Sequence, residues 1–128
     1  MVLLTADTPW VRIEPGSSGP AVGRAAIRVA LAGQGATGLL EVALLLTSEL
    51  VTNALMHTTD GCSVRVAMIG SSALRVEVHD NSEDLPVLTD AAKRPLGGYG
   101  VPIVDRLATR WGSELTPQGK LVWYELER

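Results

Sequence analysis

Apolar residues recur at helical spacing from Thr37 to His57, and this pattern predicts one long helix there. Upstream, Ala25, Ile27, Val29 and Leu31, with Arg24 and Arg28 spaced to share a face, predict a helix from about Ala21 to Ala32 that ends at Gly33-Gln34-Gly35. A turn cluster, Pro15-Gly16-Ser17-Ser18-Gly19-Pro20, comes before it. Trp10, Arg12 and Glu14 alternate with Val11 and Ile13, which predicts a short first strand over Pro9 to Glu14. Beyond His57 the period changes to two. Ser63 to Ile69 and Leu74 to His79 alternate on either side of Gly70-Ser71-Ser72-Ala73, so they predict a hairpin. A Pro-, Asp- and Gly-rich loop covers Asn81 to Gly98, and a short helix covers Tyr99 to Ala108. Two last strands, near Trp111 to Thr116 and Lys120 to Glu127, flank the turn Pro117-Gln118-Gly119.

The order is strand, helix, helix, strand, strand, helix, strand, strand. Three helices covering one face of a mostly antiparallel sheet form the economical two-layer α+β solution. The length, 128 residues, fits one compact domain. With 46% hydrophobic residues, no Phe, three Trp and two Tyr, the core must come mainly from Ala, Val, Leu and Ile. The net charge of −3 and the lack of a long basic run argue against nucleic acid as a direct partner. The single cysteine, Cys62, cannot form an internal disulfide, so a reducing cytoplasm is the simplest location. The start, Met1 to Trp10, lacks a basic region and does not read as a signal peptide. No apolar stretch is expected to span a membrane, which takes roughly 20 residues.

Two features carry candidate chemistry. With the long helix drawn at about 100° per residue, Leu44, Thr47, Leu50, Val51, Ala54 and Leu55 gather on one side. Ser48, Glu49, Thr52, Asn53, Met56 and His57 gather on the other. Leu45 and Leu46 project near that polar side, which suggests partial cover. Glu49, Asn53 and His57 follow one another at four-residue steps, so one face presents a carboxylate and a carboxamide together. A solvated surface is the ordinary meaning of such a face. The second feature is Asp80 at a strand end, followed by Asn81-Ser82, with Gly97-Gly98-Tyr99-Gly100 opening a helix further on. Glycines admit a close ligand, and a helix N-terminus offers unpaired N–H groups to phosphate. A flexible loop before an ordinary helix start is the plainer alternative. Neither a Walker loop nor a Rossmann glycine cluster is present.

Taken in order, these stretches resemble the nucleotide site of the histidine-kinase-like (GHKL) ATPases. Ser48-Glu49-Leu50-Val51-Thr52-Asn53-Ala54-Leu55-Met56-His57 is similar to the N box, Val78-His79-Asp80-Asn81-Ser82 to the G1 box, and Gly98-Tyr99-Gly100-Val101-Pro102-Ile103-Val104 to the G2 box. The ending, Trp111-Gly112 and Gly119-Lys120-Leu121-Val122-Trp123-Tyr124-Glu125-Leu126, is similar to that of short actinobacterial anti-sigma serine kinases. The resemblance runs from about residue 20 to 127. It implies a two-layer Bergerat sandwich that binds ATP and Mg²⁺. Glu49 would be the catalytic base, or would orient the attacking hydroxyl. Asn53 would bind Mg²⁺, and Asp80 would accept the adenine amine. Ser82, Gly98, Gly100 and Val101 would complete the nucleotide set. Glu83 to Leu96 would form a lid carrying Lys93 and Arg94. The implied function is an anti-sigma regulatory factor with serine/threonine kinase activity toward an anti-anti-sigma protein. Its partners would be a sigma factor and that antagonist, with a homodimer as a further expectation. A non-catalytic regulatory binding module is the alternative.

Two departures from the family pattern stand out. Ser82 and Asp84 occupy glycine positions of the G1 box, and Leu121 stands about where a Thr that aids the adenine contact is expected. His57, Cys62, His79 and Asp80 lack zinc-ligand spacing, and Cys62 reads as a small strand-start residue. Trp10, Trp111 and Trp123 read as packing residues near the sheet ends.

Overall fold

The computed structural model describes residues 9–16, 18–32, 37–69, 73–83 and 100–127. The elements run β1 (Val11–Ile13), α1 (Gly19–Leu31), α2 (Thr37–His57), β2 (Cys62–Ile69), β3 (Ala73–Asp80), α3 (Gly100–Leu107), β4 (Arg110–Thr116) and β5 (Gly119–Glu127). The strands form one antiparallel sheet in the order β1-β2-β3-β5-β4. The helices pack on one another and on the sheet, which gives the expected two-layer α+β sandwich. Helix α1 starts two residues earlier than its apolar pattern suggests. Pro20 sits in its first turn, where a missing N–H costs no intrahelical bond. Strand β1 is shorter than its alternation predicts.

Register sorts the sheet residues into two sets. Val64, Val78 and Val122 stand in one row, and Val66, Val76 and Tyr124 in the next. Met68, Leu74 and Leu126 form a third. These rows face the helices and build the core with Ile27, Leu39, Ala43, Leu46, Leu50, Val51 and Val104. Leu46 is fully buried, so it belongs to this core and not beside the polar face, where the helical projection placed it. The projection failed because α2 is covered from several directions, by α1, α3 and the sheet. Length and composition correct a second expectation, that no apolar stretch reaches membrane-spanning length. Gly38–His57 is long and apolar enough to cross a membrane by length and composition, with a mean hydropathy of 1.5. In this structure 39% of its apolar window is buried, against the sheet and the other helices.

A buried polar tie seats α2 on the sheet. Tyr124 of β5 donates its hydroxyl to the Ala43 carbonyl at 3.1 Å, and its oxygen is 2.7 Å from Thr47 Oγ1. Helix α1 can lie close against α2 because Gly23 has no side chain. A Cβ there would stand 3.1 Å from Val51 Cγ2 and 3.2 Å from Thr47 Cγ2.

The other sheet face is closed by charge. Arg65 binds Glu77 at 2.5 Å, Arg75 bridges Glu77 at 3.0 Å and Glu125 at 2.7 Å, and Arg110 links Glu125 at 2.9 Å to Glu127 at 2.6 Å. Trp10 and Trp123 cover two of these guanidiniums, with Arg65 4.4 Å and Arg75 4.2 Å from the ring centres. Trp123 reaches across β4 at Gly112, where a Cβ would approach the indole to 2.8 Å. Trp111 instead ties β4 to α3, donating its Nε1–H to Asp105 at 2.9 Å.

Burial pushes the Glu125 carboxyl up, but hydrogen bonds from Arg75 and Arg110 outweigh it and hold the group below its ordinary value. A depressed folded pKa stabilises the fold above the unfolded value and loses that contribution as pH falls through the folded one. Glu125→Gln should therefore destabilise the protein at pH 7 by on the order of 1 kcal/mol. The gap to wild type in denaturant midpoint should shrink on acidification. A gap that stays constant with pH would show that the carboxylate's charge contributes nothing.

Candidate functional site

The end of α2 and the end of β3 are stitched together. Thr58 Oγ1, just past α2, bonds Asn81 Oδ1, and Asn81 Nδ2 donates to Asp60 Oδ2. Asp60 N–H donates back to Thr58 Oγ1 at 3.1 Å. Arg12 of β1 fastens the same corner by donating to the Asp60 carbonyl. The ends of the elements that carry two of the three expected stretches thus meet, through Asn81 of one and Thr58 and Asp60 just past the other. A hollow of about 500 Å³ opens there, lined by Leu55, Met56, His57, Thr58, Thr59, Asp60, Asn81 and Ser82.

Asp80 stands opposite Lys120 in the β3–β5 register, in line with the apolar rows that face the helices. It is 3% exposed, and Lys120 is fully buried. Asp80 Oδ1 accepts the Ser82 N–H at 2.8 Å, which gives Ser82 a structural part beside its expected ligand contact. Oδ2 lies 3.6 Å from Lys120 Nζ and has no hydrogen-bond partner. Lys120 Nζ is in turn 2.8 Å from His57 Nδ1. An ammonium only donates, so His57 accepts there as a neutral imidazole.

Sequence reasoning missed Lys120, although parity held the signal. The residue facing Asp80 must share its side of the sheet. Gly119 sets this register by turning at a φ of +151°, and any Cβ there would collide with the Asp80 carbonyl. Leu121 falls in the opposite set, paired with His79 and Glu114. The position facing the carboxylate is therefore Lys120, not Leu121 as the family pattern suggested.

Glu49 and Asn53 stand half-buried on α2, four residues apart. Among the described residues, neither side chain forms a hydrogen bond or ion pair. Burial pushes the Glu49 carboxyl above its ordinary value, which makes it a better proton acceptor once ionised. Next to it, Ser48 is engaged, donating to the Leu44 carbonyl at 2.8 Å and accepting from Arg24 at 3.1 Å. Gly100 opens α3, and Val101 follows in its first turn. Val104, one turn on, is buried in the core. Gly98, Lys93, Arg94 and nearly all of the expected lid lie outside the described residues.

No family model matches the chain, and no curated protein does. Among solved structures, the crystal structure of the RsbU and RsbW domains of Rv1364c from Mycobacterium tuberculosis is similar over 93% of this chain, with a TM-score of 0.70 and 20% identity. This chain shares the fold of that structure. At this identity the likeness is one of fold, and the chain spans 32% of the length of the structure it matches.

Within this fold the other titratable groups scatter. His79 belongs to the sheet's outer set, where its Nε2 is 2.8 Å from Thr116 Oγ1. Cys62 starts β2, is 1% exposed, and packs in the core. Burial, then the Asp80 charge, pushes its thiol up to about 11 against an opposing pull from Arg12. Since the thiolate is the reactive form, native protein at pH 8 should alkylate about 100-fold more slowly than denatured protein. Mass-spectrometric timing with iodoacetamide checks this, and equal rates would contradict the buried placement.

Proposed function

We propose that the chain is an ATP-binding anti-sigma regulatory factor with serine/threonine kinase activity toward an anti-anti-sigma protein. The observation that carries this reading is Asp80 Oδ2. It is a buried acceptor with no hydrogen-bond partner, at the strand end stitched to the helix that bears Glu49 and Asn53. Leaving such an atom unpaired costs free energy unless a ligand donates to it. The exocyclic amine of adenine is such a donor. The fold's likeness to a structure with RsbU and RsbW domains, and the resemblance of the sequence to the GHKL boxes, support the regulatory part.

In this reading Asp80 takes the base, and the polar face of α2 takes the phosphate end. Asn53 offers a side-chain oxygen suited to Mg²⁺, which prefers oxygen ligands. When bound, the ion neutralises phosphate charge. Glu49 orients the acceptor hydroxyl and receives its proton as the serine oxygen bonds to the γ-phosphorus and the bond to the departing ADP oxygen breaks. Positioning and charge neutralisation supply most of such a rate, so few protein groups are required.

The raised basicity of Glu49 fixes the pH dependence. Its carboxylate form is needed, so phosphorylation of a candidate antagonist with Mg-ATP should rise with pH along a limb set above the ordinary Glu value. Glu49→Gln should lower the rate at least about 100-fold and abolish that limb. Asn53→Ala should weaken ATP binding only when Mg²⁺ is present. Unchanged phosphoprotein yield with Glu49→Gln, or magnesium-independent ATP affinity in wild type, contradicts these roles.

Lys120 favours a second reading, a regulatory binding module without nucleotide, because its ammonium already lies beside the acceptor oxygen. That reading predicts no heat of ATP binding at millimolar concentration while partner binding persists.

A further inference from the structure

The carboxylate of Asp80 is half used. Oδ1 accepts the Ser82 N–H, and Oδ2 has a charge beside it at 3.6 Å but no donor on it. That charge is the ammonium of Lys120, fully buried and braced by His57 at 2.8 Å. Burying an ammonium carries a large desolvation penalty, which Asp80 offsets. A threonine or a water would complete a base pocket without that penalty. What the lysine adds is a strong, charged donor next to a strong acceptor, both on the helix-facing side of the sheet, and the residues they touch, His57 and Ser82, line the hollow at the end of α2.

We propose that Lys120 is a specificity-determining residue for the nucleobase. It donates to the ring nitrogen beside the exocyclic amine while Asp80 Oδ2 accepts that amine, so the pair reads the donor and acceptor of a 6-aminopurine together. This rests on the nucleotide reading given above. Adenine carries such a ring acceptor on each side of its amine, at N1 and at N7. A charge-assisted bond to one of them, formed away from water, is strong enough to govern affinity. His57 acts as a positioning residue. Its neutral Nδ1 holds the ammonium at the end of α2, where the helix and the base site join.

The test compares ATP, 1-deaza-ATP and 7-deaza-ATP in calorimetric titrations of the full chain and of Lys120→Met. The deaza analogues keep the amine and each lose one ring acceptor. In wild type, one analogue should bind at least about tenfold more weakly than ATP and the other should match it. In Lys120→Met that difference should vanish, a change that a purely structural lysine would not produce. Equal affinities for all three nucleotides in wild type overturn the proposal and leave the nucleotide reading standing. So does a difference that survives in Lys120→Met. No affinity for any of the three overturns the nucleotide reading itself, and this proposal with it. Should Lys120→Met fail to fold, the wild-type comparison decides alone.

Discussion

The seat of α2 on the sheet is the constraint on which the other features depend. Tyr124 projects from β5 into the core and binds both the Ala43 carbonyl and the Thr47 hydroxyl. Its own hydroxyl is pushed to a higher pKa by burial, against the Thr47 hydrogen bond, so it stays protonated and able to donate. A helix held only by Leu, Val and Ala contacts has several near-equivalent ways to slide and turn. A buried hydrogen-bonded pair has one good geometry, because misplacing either partner leaves an unsatisfied polar group. Fixing Thr47 fixes the phase of the helix, and with it the direction of Glu49 and Asn53.

The sheet is asymmetric for a similar reason. Its helix-facing rows are apolar until the last one, where Asp80 faces Lys120. The opposite set is charged, and its charges are spent on one another along the Arg65–Glu77–Arg75–Glu125–Arg110–Glu127 chain. A buried carboxylate there, Glu77, has two guanidiniums on it. Asp80 has one ammonium at 3.6 Å and one oxygen without a hydrogen bond. Among the described residues, the contrast marks the Asp80 end as the place where a buried side-chain acceptor lacks a hydrogen bond.

The fold was legible because its periods are strong. The hairpin of β2 and β3, the helix from Thr37 to His57 and the turn at Gly119 each have a local physical cause that tertiary packing does not override. What failed was finer. Leu46 was misplaced because a single-face projection suits a helix with one covered side, and α2 has more. Lys120 was overlooked because one residue of slip along a strand exchanges the two faces of a sheet. A family pattern aligned one position late put an outward leucine where an inward lysine stands. The N-box and G1-box residues lie on elements whose ends the structure ties together through Thr58, Asn81 and Asp60, contacts that no spacing rule anticipates. The glycine stretch before α3 was legible as a helix start at Gly100, while Gly98 falls outside the described residues.

A nucleotide held by this chain would lie along one line, from the end of β3 to the polar face of α2. The most direct measurement is a titration of isotope-labelled protein with a non-hydrolysable magnesium–ATP analogue, followed by backbone amide NMR shifts. The account predicts saturable changes concentrated at Glu49 to His57, Asp80 to Ser82 and Gly119 to Lys120. Changes confined to the apolar groove of Val11, Val22, Ala25 and Val29 between α1 and β1, or no saturable change at millimolar analogue, would contradict it.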